Sequence, residues 1–231
     1  MIIGNGMIAS AFNSHFRDDP DVIVFASGVS NSRENRVDEF LREKKMLMEC
    51  MSHEKFTLYF STCSVNDPEL LDTPYVVHKT EMEALVRCAK NYAIFRLPQV
   101  VGKTLNSNTL TNYLFQQISS GSDFNVWRHA KRNLIDVDDV ASICSYLIRA
   151  SLSNGITANI ASPFSISVPH LVSIFESVLG KSANCTLIDV GGAYTIDSDL
   201  AAEVASQVGV VFDAAYIEKL IRKYYGKYST M

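Results

Sequence analysis

Tyr75 and Lys79 stand four residues apart, and thirteen residues before the tyrosine Thr62 lies in a hydroxyl-rich string, Ser61-Thr62-Cys63-Ser64. A positioned tyrosine can pass a proton to or from an oxygen on carbon. A free phenol, with a pKa of about 10, is a poor base at neutral pH, and lowering it by three units takes roughly 4 kcal/mol of differential stabilisation. Lys79 projects from the same helical face as Tyr75, so its ammonium can favour the phenolate and also reach a cofactor ribose. Thr62 is the candidate to orient the substrate oxygen. Ser61 and Ser64 compete for that role, and because Thr62 and Ser64 share a face of an extended strand, spacing does not choose between them. His78 points off the Tyr75–Lys79 face and has no place in this scheme.

A base of this kind needs a hydride acceptor beside it. Gly4-Asn5-Gly6-Met7-Ile8-Ala9 reads G-x-G-x-x-A between an apolar stub and an apolar helical stretch. Gly4 permits a tight turn, Gly6 lets a pyrophosphate approach the backbone, and small Ala9 lets helix pack on strand. Met7 and Ile8 open the helix whose N-terminus faces the phosphate charge. An ordinary Asn-Gly turn would read the same way. The usual companion, an acidic residue roughly 20 positions on that holds the adenosine ribose, is expected at the end of the next strand. That strand, Val22 to Ala26, ends instead in Ser27-Gly28.

The elements that must carry these residues alternate. Apolar, β-branched or aromatic runs at Met1–Ile3, Val22–Ala26, Phe56–Phe60, Tyr92–Leu97, Leu134–Val137 and Ile156–Ala161 are separated by helix-like stretches, which predicts a parallel α/β sheet. From Arg33 to Met51, Val37, Phe40, Leu41, Leu47, Met48 and Met51 recur at helical spacing with Glu, Arg and Lys between them, an amphipathic helix with a solvated charged face. Tyr75 to Ala89, Asp138 to Ala150 and Val168 to Leu179 read as helices too. Lys103–Asn108 and Ser162–Ser167 read as loops.

The 231 residues, 47% of them apolar, suit one domain with a small lobe. A net charge of −4 without basic runs gives no nucleic-acid or membrane surface, so small molecules are the expected partners. Five cysteines with no C-x-x-C and no histidine at ligand spacing read as reduced thiols of a cytoplasmic protein, not as a disulfide framework or a metal site. No apolar run approaches the roughly 20 residues of a membrane span.

Along most of its length the chain resembles the extended short-chain dehydrogenase/reductase family, the nucleotide-sugar epimerase/dehydratase branch. Gly4-x-Gly6-x-x-Ala9 looks like its glycine loop, and Phe25-Ala26-Ser27-Gly28 is similar to the strand end lining its cofactor. Ser61-Thr62-Cys63-Ser64-Val65 resembles its catalytic hydroxyl strand, with the family's Ser/Thr falling on Thr62, and Tyr75 and Lys79 match its base pair. Arg96-Leu97-Pro98-Gln99-Val100-Val101-Gly102 is similar to the strand end beside the nicotinamide. Arg132 to Val140 looks like the element whose arginine meets the substrate diphosphate.

The resemblance implies a Rossmann-like parallel sheet with helices on both faces. It implies NAD or NADP as cofactor, seated by Gly4, Gly6, Met7 and Ile8, by Ala26, Ser27 and Gly28, and by Ser61, Tyr75, Lys79, Leu97 and Pro98. A nucleotide sugar would meet Ser64, Gln99 and Arg132, with Trp127 available to stack on a base or sugar or to pack the lobe. The catalytic set would be Thr62, Tyr75 and Lys79. The Asp-Glu pair expected after Thr62 in a dehydratase is replaced by Cys63-Ser64, which favours an epimerase or reductase. The small substrate lobe would come from about 104–132 and 163–231. Asp138 and Asp139 suit a helix N-terminus as cap and dipole partners, and the amphipathic stretch Asp213–Tyr228 closes the lobe or serves a homodimer.

Two departures stand out. Relatives place two more strands and a helix where only Arg17 to Asp21 intervene here, so half of the adenosine side is absent and the first strand becomes a sheet edge. The ribose-binding carboxylate belongs to that absent part. A rival reading follows, a non-catalytic nucleotide- or dinucleotide-binding sensor or scaffold on the same fold; the Tyr75–Lys79 pair, which a binder does not need, favours the enzyme.

Overall fold

A computed structural model describes residues 1–51 and 55–226; residues 227–231 of the expected lobe, with the end of the Asp213–Tyr228 stretch, lie outside the described residues. The main sheet is parallel, with strand order β1 (Ile2–Ile3), β2 (Val22–Phe25), β3 (Phe56–Thr62), β4 (Tyr92–Leu97) and β8 (Ile156–Asn159). Side chains alternate between the two faces of a strand. Val22, Val24, Leu58, Phe60 and Phe95 therefore face one way, where Phe12 and Phe16 of α1 (Met7–Phe16) and Ile143, Cys144 and Leu147 of α5 (Val137–Arg149) cover them. Ile23, Phe25, Tyr59 and Ile94 face the other way, under Leu47 of α2 (Val37–Met51) and Met82 and Val86 of α3 (Pro74–Val86). Each fully buried aromatic or aliphatic side chain contributes about 1.5–3 kcal/mol.

The chain steps in one direction from β1 to β2, β3 and β4, yet α1 lies on the opposite face from α2 and α3. The crossover through α1 therefore has the opposite hand to its two successors, an exception to the nearly universal right-handed rule. Only residues 17–21 link α1 to β2, and β1 forms the edge of the sheet.

A second apolar cluster builds the lobe. It joins α4 (Leu110–Ser120), β6 (Phe124–Trp127), α6 (Val168–Leu179) and α8 (Tyr216–Tyr225). β5 (Gln99–Val101), β7 (Lys131–Asp136) and β9 (Ser165–Ser167) form a three-stranded sheet, and β6 pairs with β10 (Cys185–Ile188). α8 closes the lobe: Tyr216, Ile217, Leu220 and Ile221 are buried, while Tyr216 donates to Asp139 and Lys223 and Tyr224 both donate to Asp136. α7 (Asp199–Gln207), which the sequence placed in the lobe, packs on α5, with Val204 and Ala205 in the core of the main sheet.

Several local expectations change. α2 begins at Val37 and not Arg33. Its apolar and charged faces are not divided as the pattern suggested: Leu41 is 60% exposed, Val37 and Met48 are also exposed, and Glu43 is fully buried. The cap of α5 is Asp136, which accepts from Asp138 N, so Asp138 and Asp139 occupy the first turn and only the dipole role remains to them. Ser165–Ser167, read as loop, is strand β9. Among the described residues no helix is long and apolar enough to cross a membrane.

Candidate active site

Gly4 to Ile8, Ala26 to Gly28, Ser61, Thr62, Ser64, Leu97 and Pro98 lie at the carboxyl ends of β1 to β4, where open parallel sheets bind their ligands. Gly4 has φ +125°, and a Cβ there would lie 2.7 Å from the carbonyl carbon of Ala26, so a glycine is required where the first turn leans on the second strand. At Gly6, the N-cap of α1, a Cβ would meet nothing within 4 Å. No side chain caps α1 and no acidic residue occupies its first turn, so its amide donors and positive dipole end remain free for an anion. Met7 packs its sulfur against Gly102 after β5, and Ile8 joins the main core.

α3 starts where its sequence says it should. Thr73 caps it by accepting from Val76 N, and Pro74 sets the first helical φ. Tyr75 thus sits in the first turn, where the dipole favours a phenolate by about 0.3–1 kcal/mol. Thr62, the last residue of β3, accepts from Ser64 N at 3.1 Å, and its hydroxyl lies near the Tyr75 oxygen. Thr62 and Tyr75 are therefore together, and the Ser64 side chain turns toward Tyr194. Ser61 faces the other way, its buried hydroxyl near the Glu83 carboxylate without completing a well-formed hydrogen bond.

Lys79 does not meet the expectation that it lowers the Tyr75 pKa. Its ammonium, 2% exposed at the residue level, donates to Glu43 Oε1 at 3.0 Å and to the Tyr59 hydroxyl at 3.1 Å. Burial raises the Tyr75 pKa well above the ordinary phenol range, the nearby Thr62 hydroxyl opposes this, and the Glu43 carboxylate adds to it. The tyrosine is accordingly a neutral phenol in the ligand-free protein.

Glu43 is the centre of this arrangement. Its Oε1 also accepts from Tyr59 at 2.6 Å, and its Oε2 accepts from Val29 N at 2.6 Å and contacts His78 Nε2 at 2.9 Å. Burial pushes its pKa up, but the Lys79 ammonium and the hydrogen bonds of His78, Tyr59 and Val29 outweigh burial and hold it well below the carboxylate range. His78 therefore has a buried partner and stacks on Phe40. Gly28 has its own reason: a Cβ there would lie 2.7 Å from Lys79 Nζ and 2.9 Å from Glu43 Oε1. Ser27 accepts from the Arg42 guanidinium.

The far end of α3 is fastened as well. Arg96 of β4 forms a two-pronged pair with Glu83 at 2.8 and 2.7 Å, and Arg87 joins the same carboxylate. Leu97 is buried at the end of β4, followed by Pro98, and Gln99 begins β5 opposite Leu134.

On the substrate side, Arg132 donates to the carbonyl of Lys131. Trp127 is 44% exposed and alternates with buried Phe124 and Val126, so it projects from the lobe and does not pack it. A residue without any sequence signal, Tyr194, lies half-buried near Ser64, Cys63, Asp67 and Arg132, its pKa pushed up to about 12 by burial. Its segment is laid across the site: Val190 O accepts from His129 N, Gly192 O from Lys131 N, and Asp197 O from Asn159.

Known proteins share this fold. Structures sharing the fold include UDP-glucuronic acid 4-epimerase from Bacillus cereus in complex with UDP-glucuronic acid and NAD, at 18% identity over 94% of this chain and 78% of that one, TM-score 0.69. RMD from Pseudomonas aeruginosa complexed with NADPH matches at 16% identity over 93% and 84%, TM-score 0.63. UDP-N-acetylglucosamine 4-epimerase from Methanobrevibacter ruminantium in complex with UDP-N-acetylmuramic acid matches at 17% over 92% and 78%, TM-score 0.66. No curated protein matches the chain in sequence. The model of the NAD dependent epimerase/dehydratase family matches residues 2–161, more than half of the sequence, and the chain belongs to that family.

Proposed function

We propose that the protein is an NAD(P)-dependent enzyme of the epimerase or reductase type that acts on a nucleotide-linked sugar, with Tyr75 as its proton carrier. The observation that carries the reading is the nearness of the Thr62 hydroxyl to the Tyr75 phenol at the end of β3, with a buried lysine one helical turn on and, at the same end of the sheet, a glycine turn whose helix start has no side-chain cap.

The residues present fit a dinucleotide's pyrophosphate: the empty space over Gly6 and the uncapped start of α1 are what such a group requires. When bound, the nicotinamide supplies the hydride acceptor or donor. Gly4 to Ile8 hold the phosphates, Ala26 to Gly28 and Leu97-Pro98 form the walls, and Lys79 lies beneath Gly28. Tyr75 exchanges the proton at its phenolic oxygen, while Thr62 fixes that oxygen and presents a hydroxyl to the substrate. Arg132 faces the diphosphate, and Ser64, Gln99 and Trp127 belong to the sugar-nucleotide side. The lobe built around 104–132 and 163 onward, without α7, closes over that side.

Calorimetric titration of the purified protein with NADH and NADPH, followed by turnover on a panel of UDP- and GDP-linked sugars and keto sugars, tests the reading. Saturable binding of one dinucleotide, and turnover that falls at least about 100-fold in Tyr75→Phe, are expected. Full turnover in Tyr75→Phe refutes the mechanism; dinucleotide and sugar-nucleotide binding without turnover supports the sensor or scaffold instead.

A further inference from the structure

The edge position of β1 carries an inference that rests on the proposed function and deepens it. A dinucleotide is bound across two mononucleotide-binding halves of a parallel sheet, at the crevice where the strand order reverses. Here the order β1-β2-β3-β4-β8 runs one way from an edge at β1, so the described residues build one bank of such a crevice. That bank has its parts: the glycine turn follows β1, Ala26 to Gly28 follow β2, Thr62 ends β3 and Leu97 ends β4. Two strand spacings of about 4.8 Å separate β1 from β3, and a single nucleoside monophosphate spans that distance from the uncapped start of α1 to Thr62. The link between α1 and β2, residues 17–21, lies at the other end of the sheet. There Asp19 binds the amino ends of both strands: its carboxylate accepts from Asp21 N and Val22 N, and its carbonyl accepts from the Met1 ammonium. The carboxylate that takes an adenosine ribose belongs at the end of the strand beside β1, where Ser27-Gly28 stands. Two carboxylates of α2 are already paired: Glu43, fully buried, with Lys79, and Glu39 with Arg36 and Arg42. Arg42, the cation at Ser27, donates to the Ser27 carbonyl and is held by Glu39, so a ribose 2′-phosphate would find its charge matched beforehand.

We propose that the site holds its cofactor by the nicotinamide mononucleotide end alone, with one phosphate at the start of α1 and the adenosine half of NAD or NADP projecting past β1 into solvent. Reduced nicotinamide mononucleotide is then a ligand in its own right. NADH and NADPH, which differ only in the projecting half, are bound alike.

Calorimetric titration of the purified protein with reduced nicotinamide mononucleotide, NADH, NADPH and AMP tests this without turnover. The three reduced nucleotides are expected to bind with Kd values within about tenfold of one another. AMP at millimolar concentration is expected not to displace them. Gly6→Asp ties the ligand to the glycine turn. Gly6 has φ −81° and open space around its Cβ position, so an aspartate fits without strain, caps α1 and sets a carboxylate where the phosphate would lie. In that variant all three reduced nucleotides are expected to lose at least about tenfold in affinity together, with the urea midpoint not lowered. NADH bound more than about tenfold tighter than the mononucleotide, or the same preference between NADH and NADPH, overturns the proposal and leaves the proposed function standing. So does displacement by AMP, or mononucleotide binding that Gly6→Asp leaves unchanged. Binding of none of the three overturns both.

Discussion

Gly28→Ala puts the buried pair to a direct mechanical test. The added methyl would stand 2.7 Å from Lys79 Nζ, where ordinary contact begins at 3.4 Å, so the ammonium must retreat by about 0.7 Å. It has little room, being held by Glu43 at 3.0 Å and Tyr59 at 3.1 Å inside the protein. Either the pair stays and the site is overpacked, at about 1–3 kcal/mol, or one charged hydrogen bond breaks, at about 1.5–3 kcal/mol. Both routes converge on a loss of about 2 kcal/mol, or a drop of about 4–8 °C in Tm for a chain of this size. Gly121→Ala is the control: it sits at φ +71° with nothing within 4 Å, so it carries backbone strain alone, about 1 kcal/mol. Urea unfolding at constant m measures both. Repeating Gly28→Ala in a Lys79→Met background should recover part of the loss, since the methyl then meets a shorter, uncharged side chain and only the Glu43 oxygen at 2.9 Å remains in its way. A neutral Gly28→Ala, or an equal loss in both backgrounds, refutes the placement of the ammonium against Gly28.

Three further outcomes are expected. Tyr59→Phe removes a donor from Glu43 and an acceptor from Lys79 in a dry site, and should cost about 1–3 kcal/mol in urea unfolding. Glu43 and Glu83 have carboxyl groups held below their unfolded value of 4.5, so the stability they confer is fully present above that value and is lost as pH falls through the lower, folded pKa. The urea midpoint should accordingly decline on acidification below about 4.5, and less steeply in Glu43→Gln, in the range where each variant stays folded. Thr62→Val removes the hydroxyl that favours the Tyr75 phenolate and should lower kcat about 10- to 100-fold with a smaller change in KM, measured on whichever sugar nucleotide is turned over.

Much of the scaffold was legible because its signals are local. β4 and α6 fall on the bounds their patterns predict, and Pro74 and Thr73 announce the start of the helix that carries Tyr75. The nearness of Thr62 to Tyr75 follows from a strand end and a helix start on neighbouring elements. β5, β6, β9 and β10 were missed because each is only three or four residues long and includes a polar residue, unlike the unbroken apolar run of β2. Glu43 was missed for a different reason. The amphipathic pattern of α2 assigns charges outward, whereas the donors that bury this one arrive from Tyr59, His78, Lys79 and Val29, none of them on α2. Tyr194 belongs to an irregular segment positioned by backbone hydrogen bonds to residues 129, 131 and 159, a placement that no spacing in the sequence encodes.

The reversed crossover through α1 marks a seam. Residues 17–21 bridge from the end of α1 into β2, and β1, with β2 on one side, leaves its other side open. A strand–helix–strand module spliced into that five-residue bridge could lay its strands along the open side, giving the usual hand to each new connection, while α1, β2 and the helix bearing Tyr75 keep their seats. The two halves of such a sheet are thus separable parts of the architecture: the half that carries Tyr75 keeps its own connections, and the other can be added at one joint.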